Sequence, residues 1–104
     1  MTRVSPRLPR LSAKEALILE FLVRGAPRYG LELVAMSRRR LKRGTIYVTL
    51  GRMEDKGYVT SRQEDPPPAA GGLPRRLYEP TATGRRVLAA WNEAARLLLP
   101  ELAR

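Results

Sequence analysis

Cysteine and histidine are both missing from the 104-residue chain. The first absence excludes disulfides and thiolate metal sites. The second removes the usual general base and the usual nitrogen ligand for a metal. No apolar run approaches the roughly 20 residues needed to span a bilayer. The opening stretch "MTRVSPRLPR" has no apolar core of the kind a secretory signal needs, so a cytoplasmic protein without a membrane partner is the expectation. Acids are scarce too: ten Asp and Glu face twenty Lys and Arg, for a formal charge of +10.

The size suits one domain with a modest core, which oligomerisation would help to stabilise. Its charge is lopsided. Residues 1–62 hold fourteen bases and five acids, whereas residues 63–104 hold six and five. A one-sided cationic field of this size asks for a polyanion, and nucleic acid is the commonest. An anionic membrane or a merely solubilising surface would be the alternatives.

Residues 1–10, with Pro6, Pro9, Arg3, Arg7 and Arg10, read as a flexible basic arm. Ser12 and Glu15 then form a capping-box pair ahead of an apolar helix that Gly25 ends. Leu17 and Phe21 share one face of it, with Ile18 and Leu22 beside them, while Leu19 and Val23 point the other way. That pattern fits either a broad core stripe or a second contact across a dimer. A short second helix carries Tyr29, Leu33 and Met36 at helical spacing.

The densest charge follows: Arg38, Arg39, Arg40, Lys42 and Arg43 fall within six positions, directly before a third helix. That helix begins near Gly44 and Thr45, stops at Gly57, and turns Ile46, Leu50 and Met53 inward. Its outward face holds Gly44, Val48, Gly51, Arg52 and Asp55, with Thr45 and Thr49 on one shoulder and Tyr47 on the other. Gly51 costs about 1 kcal/mol of helix stability relative to alanine. Either it is tolerated drift, or the small face approaches another molecule closely. Cations crowd a helix N-terminus usefully when phosphate is to sit there.

Two alternating stretches, "YVTSRQE" and "RRLYEPT", read as a β-hairpin around the loop "DPPPAAGGLP", with Arg62 on one strand and Arg75 and Arg76 on the other. A long helix closes the chain. Thr81 or Thr83 caps it, and Val87, Leu88, Trp91, Ala94, Ala95 and Leu98 form an apolar stripe.

This succession predicts a mainly α fold with a small β-hairpin, a winged helix-turn-helix over residues 11–80, and a C-terminal dimerisation helix over 81–104. In such a fold the third helix enters the major groove and the hairpin forms a wing on the backbone. The stretches "RYGLELV", "RGTIYVTLGRMEDKGYVTS" and "GGLPRRLYEPTATGRRVL", together most of residues 12–91, resemble the PadR-like transcriptional regulators. The resemblance implies a DNA-reading role for Gly44, Thr45, Tyr47 and Arg52, and a wing role for Arg75 and Arg76. Two positions depart from the family pattern. Val48 stands where many members have proline, and Leu77 precedes Tyr78 where an aromatic pair is common.

The resemblance also implies that the last helix dimerises. Some short members hold flat aromatic compounds between two copies of this helix, around a tryptophan. Trp91 is the only tryptophan here, and it either packs the dimer or marks such a site.

The expected function is therefore a sequence-specific regulator of transcription that binds duplex DNA as a homodimer. More narrowly, it would be a repressor on a pseudo-palindromic operator, with a small aromatic effector as a candidate ligand. The expected DNA residues are the five cations of the turn, Gly44, Thr45, Tyr47, Val48, Thr49, Arg52, Arg62, Arg75 and Arg76. Leu19, Val23, Val87, Leu88, Trp91, Ala95 and Leu98 are expected at the dimer interface. An enzyme is disfavoured, because Ser37, Thr49, Glu54 and Asp55 have no base or metal constellation beside them, and no cofactor is expected. A winged-helix module that binds protein or RNA is the competing class.

Overall fold

Ser12 starts the first helix as its spacing predicts. Its Oγ accepts from the Glu15 N–H at 3.1 Å, and the Glu15 carboxylate accepts from the Ser12 N–H at 2.9 Å. The structure is a computed structural model that describes residues 10–64 and 75–102. Residues 1–9 of the expected arm and the expected loop "DPPPAAGGLP" lie outside the described residues.

Helix α1 spans Ala13–Gly25 and buries Ile18, Leu19 and Leu22 completely. Strand β1, Arg28–Tyr29, leads directly into α2, Gly30–Met36. This segment departs from expectation. Tyr29 sits in a strand paired with Leu77, Met36 is exposed, and only Leu33 of the expected stripe is fully buried. Two residues of backbone pairing with the sheet hold Tyr29 outside the helix, so side-chain periodicity overstated α2.

Helix α3 runs Ile46–Asp55 and buries Ile46, Leu50 and Met53, the three positions expected to face inward. Its end is a Schellman arrangement, in which the Gly57 N–H donates to the Glu54 carbonyl and the Tyr58 N–H to that of Met53. Strands β2, Val59–Glu64, and β3, Arg75–Pro80, pair antiparallel from Val59 opposite Pro80 to Glu64 opposite Arg75. Strand β1 adds on the other edge, so the hairpin belongs to a three-stranded sheet in the order β1-β3-β2.

Helix α4 spans Ala82–Leu102. Thr81 is its cap: Oγ1 accepts from the Gly84 N–H at 2.9 Å and donates to the Gly57 carbonyl at 2.5 Å. Gly84 lets α4 pass over the core. A Cβ there would lie 2.1 Å from the Tyr58 carbonyl oxygen and 3.2 Å from Leu19 Cδ2. This approach corrects two expectations. Leu19 is covered by its own chain, and Leu88, one turn beyond Gly84, is buried in the same core with Leu22, Leu50 and Val59. Neither side chain is free for a second copy. Val87 also packs partly against this core. Three helices, a small sheet and a fourth helix returning across them make a winged-helix architecture.

Candidate nucleic-acid interface

Ser37, fully buried, holds the turn between α2 and α3. Its Oγ donates to the Val34 carbonyl at 2.8 Å and accepts from the Leu41 N–H at 2.9 Å. Leu41 is thereby drawn into the core, and the charged side chains around it are turned to solvent. Arg38 and Arg39 have φ of 52° and 74°, in the left-handed region that costs a non-glycine residue about 1–2 kcal/mol. Glycine would be the ordinary choice in such a turn; this chain places cations there.

On α3, Tyr47 and Val48 are 50% and 56% exposed although both are large and apolar in part. Gly44 and Gly51 are open, since a Cβ at either would meet nothing within 4 Å. No neighbour within the described residues therefore requires them to be glycine. Tyr47 is different. Its ring lies so close over Gly30 that a Cβ there would be 2.6 Å from Cε1. That contact fixes where Tyr47 stands at the start of α3, and it explains the glycine that opens α2.

Two cavities flank the outward face of α3. On the Tyr47 shoulder, a cavity of about 430 Å³ is lined by Tyr29, Leu31, Glu32, Tyr47, Arg75, Arg76 and Tyr78. The Arg75 guanidinium stacks on the Tyr29 ring 4.4 Å from its centroid, and the Tyr29 hydroxyl bonds to Glu64. That bond raises the Tyr29 pKa above its ordinary value, while burial, followed by the Glu54 carboxylate, raises that of Tyr78. Both phenols therefore stay neutral at cellular pH, and the arginines supply the positive charge here. Arg76 donates to Ser61 Oγ at 3.0 Å, and Ser61 in turn donates to Glu54 of α3 at 2.6 Å, which ties the wing to the helix.

On the other shoulder, Thr45, Val48, Thr49 and Arg52 share a groove of about 760 Å³ with Arg10, Leu11, Lys14 and Lys56. The sequence reading missed Lys14 and the placement of Arg10 here. Nothing in residue spacing brings the start of α1 beside α3; the contact arises when Lys56 reaches the buried Glu15 carboxylate at 2.8 Å.

Charge pairing sorts the cations. Among the described residues, Arg24, Arg28, Lys56, Arg62 and Arg96 each pair with a carboxylate. Arg38, Arg39, Arg40, Lys42, Arg43, Arg52, Arg75 and Arg76 do not, nor do Arg10 and Lys14 near the start of α1 or Arg85 and Arg86 on α4, and all of these are exposed. Arg62 thus stands apart from the group in which it was expected. It is held by Glu79 at 2.9 Å and sits opposite Leu77, on the sheet face away from Ser61 and Arg76.

On α4, Trp91 is 38% exposed, and Leu97, Leu98 and Leu99 are 59%, 61% and 55% exposed. Val23 on α1 is also exposed, and Ala95 is half-buried.

The comparisons with known proteins agree with this geometry. Among solved structures, a PadR family transcription regulator from Clostridium difficile R20291 superposes with a TM-score of 0.73 at 30% identity, covering 85% of this chain and 92% of that one. A PadR family regulator from Eggerthella lenta DSM 2243 gives 0.71 at 26% identity, covering 86% and 80%. Bacillus subtilis PadR in complex with operator DNA gives 0.68 at 22% identity, a likeness of fold that covers 77% of this chain and 47% of that one. No curated protein matches the chain. The sequence profile of the transcriptional regulator PadR-like family matches residues 18–90, from the core of α1 through the wing to α4, and the chain belongs to that family.

Proposed function

We propose that the protein is a homodimeric repressor that binds a pseudo-palindromic duplex in a sequence-specific way. One observation carries the reading: eight exposed cations without a carboxylate partner among the described residues (Arg38, Arg39, Arg40, Lys42, Arg43, Arg52, Arg75 and Arg76) lie in the turn before α3, on α3 and on the adjoining wing. Unpaired charge so concentrated repels itself in the free protein and gains when phosphates replace water and counterions. Gly44, Thr45, Tyr47, Val48, Thr49 and Arg52 then meet base edges in the major groove. The turn cations, Arg75 and Arg76 meet the backbone. The operator complex of the Bacillus subtilis relative, which shares this fold, supports that docking.

The dimer rests on α4. Leu98, seven residues after Trp91, continues its face beyond the point where the chain's own core ends, and Leu97 and Leu99 flank it, all three more than half exposed. Two copies would cover this surface and set two reading helices about one helical turn of DNA apart. A flat aromatic compound seated between paired Trp91 rings would relieve repression by changing that separation. No described helix is long and apolar enough to cross a membrane, and the proposed site of action is the cytoplasm.

Selection of bound duplexes from a random pool tests the function. Recovery of a two-fold motif, bound with a steep loss of affinity as salt rises, is the expected result. Salt-insensitive binding, or preference for single-stranded RNA, would overturn it. Quenching of the single tryptophan tests the effector.

A further inference from the structure

The cavity of about 430 Å³ between the wing and the start of α3 falls within the roughly 300–1,000 Å³ typical of small-molecule sites. Tyr29, Tyr47 and Tyr78 line it. Tyr47 is half exposed, and Leu31 in the same wall is 44% exposed, so an apolar surface lies open beside charge. Among the described residues the hydroxyls of Tyr29 and Tyr58 have hydrogen-bond partners, whereas those of Tyr47 and Tyr78 have none. Tyr78 is the telling case, because it is only 5% exposed. Burial keeps its phenol neutral, which leaves an unused donor in the cavity wall.

The charges of the cavity are held in place. Arg75 and Arg76 are consecutive on β3, yet both line it. Arg75 stacks on the Tyr29 ring at 4.4 Å from its centroid, and Glu64 anchors that ring through its hydroxyl. A stacked guanidinium keeps its in-plane N–H groups available to an anion. Arg76 bonds only to neutral acceptors, Ser61 Oγ at 3.0 Å and Gln63 Oε1 at 3.4 Å. Glu32, the carboxylate among the lining residues, is already engaged. It accepts from the Tyr29 N–H at 2.8 Å and lies 3.7 Å from Arg28.

We propose that this cavity binds a nucleoside monophosphate, its base against the tyrosines and its phosphate on Arg75 and Arg76, and that the bound nucleotide displaces DNA. The second clause rests on the DNA-binding reading above. Charge selects the ligand class. A phosphate monoester carries about −1.5 to −2 at neutral pH and matches two guanidiniums, whereas a carboxylate carries a single charge. The aromatic wall then offers stacking to a base, and the Tyr78 hydroxyl offers a hydrogen bond to its edge. Exclusion of DNA follows from shared residues. Tyr47, Arg75 and Arg76 belong to the proposed DNA face, so nucleotide and duplex would compete for them without any change in the spacing of two α4 helices.

Calorimetric titration of the full chain with each of the four ribonucleoside 5′-monophosphates, in the absence of DNA, tests the site. At least one should bind about tenfold more tightly than inorganic phosphate, because stacking adds to the ionic contact. The corresponding nucleoside should bind at least about tenfold more weakly than its monophosphate. Tyr78→Phe removes the unused hydroxyl and should weaken nucleotide binding about three- to tenfold while duplex affinity stays at the wild-type value. Leu31→Glu sets a carboxylate in the exposed wall and should weaken nucleotide binding about tenfold by like-charge repulsion. Trp91 fluorescence should stay constant throughout, which separates this site from any on α4. At matched ionic strength the nucleotide should raise the apparent duplex Kd in proportion to its concentration, without a plateau.

No binding by any of the four, or phosphate or nucleoside alone binding as tightly as the nucleotide, would overturn the site. Binding that both variants leave intact would overturn it too. An unchanged duplex affinity in the presence of bound nucleotide would overturn the competition. Failure of the chain to bind duplex at all is a different result. It would remove the functional reading and the competition with it, while the titration without DNA would still decide the site.

Discussion

The outward face of α3 and the far half of α4 both expose apolar side chains, and they expose them for different kinds of partner. Tyr47 and Val48 stand among glycines, threonines and cations that have no carboxylate partner among the described residues, between the two flanking grooves. Leu97, Leu98 and Leu99 stand on a helix where Arg96 is already paired with Glu93 at 2.5 Å. The first surface suits a polyanion whose bases offer methyl groups and hydrogen-bonding edges. The second suits another apolar helix. Exposure alone does not distinguish the two faces; the state of the neighbouring charges does.

The strongest way to break this contrast is to charge the α4 face. Trp91→Glu with Leu98→Glu should yield a monomer by light scattering. Operator affinity should then fall by about 10²- to 10⁴-fold, because two half-sites are no longer linked. The chain itself should stay folded, since both positions are exposed. Leu88 makes the internal control. Leu88→Ala empties a buried site and should cost about 2–5 kcal/mol of stability by denaturant titration, whatever the oligomeric state.

On the α3 side, Arg52→Ala should cost about 1–3 kcal/mol and relax sequence preference at one position per half-site. An equal loss on specific and random duplex would transfer Arg52 from base reading to phosphate contact. A smaller effect is expected at the wing. Arg75→Ala with Arg76→Ala should weaken both kinds of binding alike and flatten the salt slope by about one unit per lost phosphate contact. Arg62→Ala should leave the slope nearly unchanged, because Glu79 already holds that side chain.

The smallest effect separates stability from function within one residue. Arg39, at φ 74°, should gain up to about 1 kcal/mol in thermal stability on replacement by glycine. The same Arg39→Gly variant should bind DNA more weakly and with a shallower salt slope. A variant that is less stable would show that the arginine side chain supports the turn rather than straining it.

Periodicity, caps and charge density are local properties, and they carried most of the architecture. The capping box at Ser12, the inward positions of α3, the alternation along each of the two strands and the cap at Thr81 all depend on residues within a few positions of one another. The same is true of the cationic turn, because five bases in six positions are dense however the chain folds.

Other features depended on which element came to lie against which. Leu19 and Val23 sit one turn apart on α1, yet α4 passes over the first at Gly84 and leaves the second in solvent. A pairing of two residues with β3 made Tyr29 part of a strand and set its ring beneath Arg75. Glu79 took Arg62 out of the unpaired set, and Glu15 drew Lys56, and with it the Arg10 carbonyl, to the edge of the reading face. Helix caps and periods are short-range and can be read along the chain. Burial by a distant element and the pairing of charges far apart in sequence are decided only by three-dimensional packing.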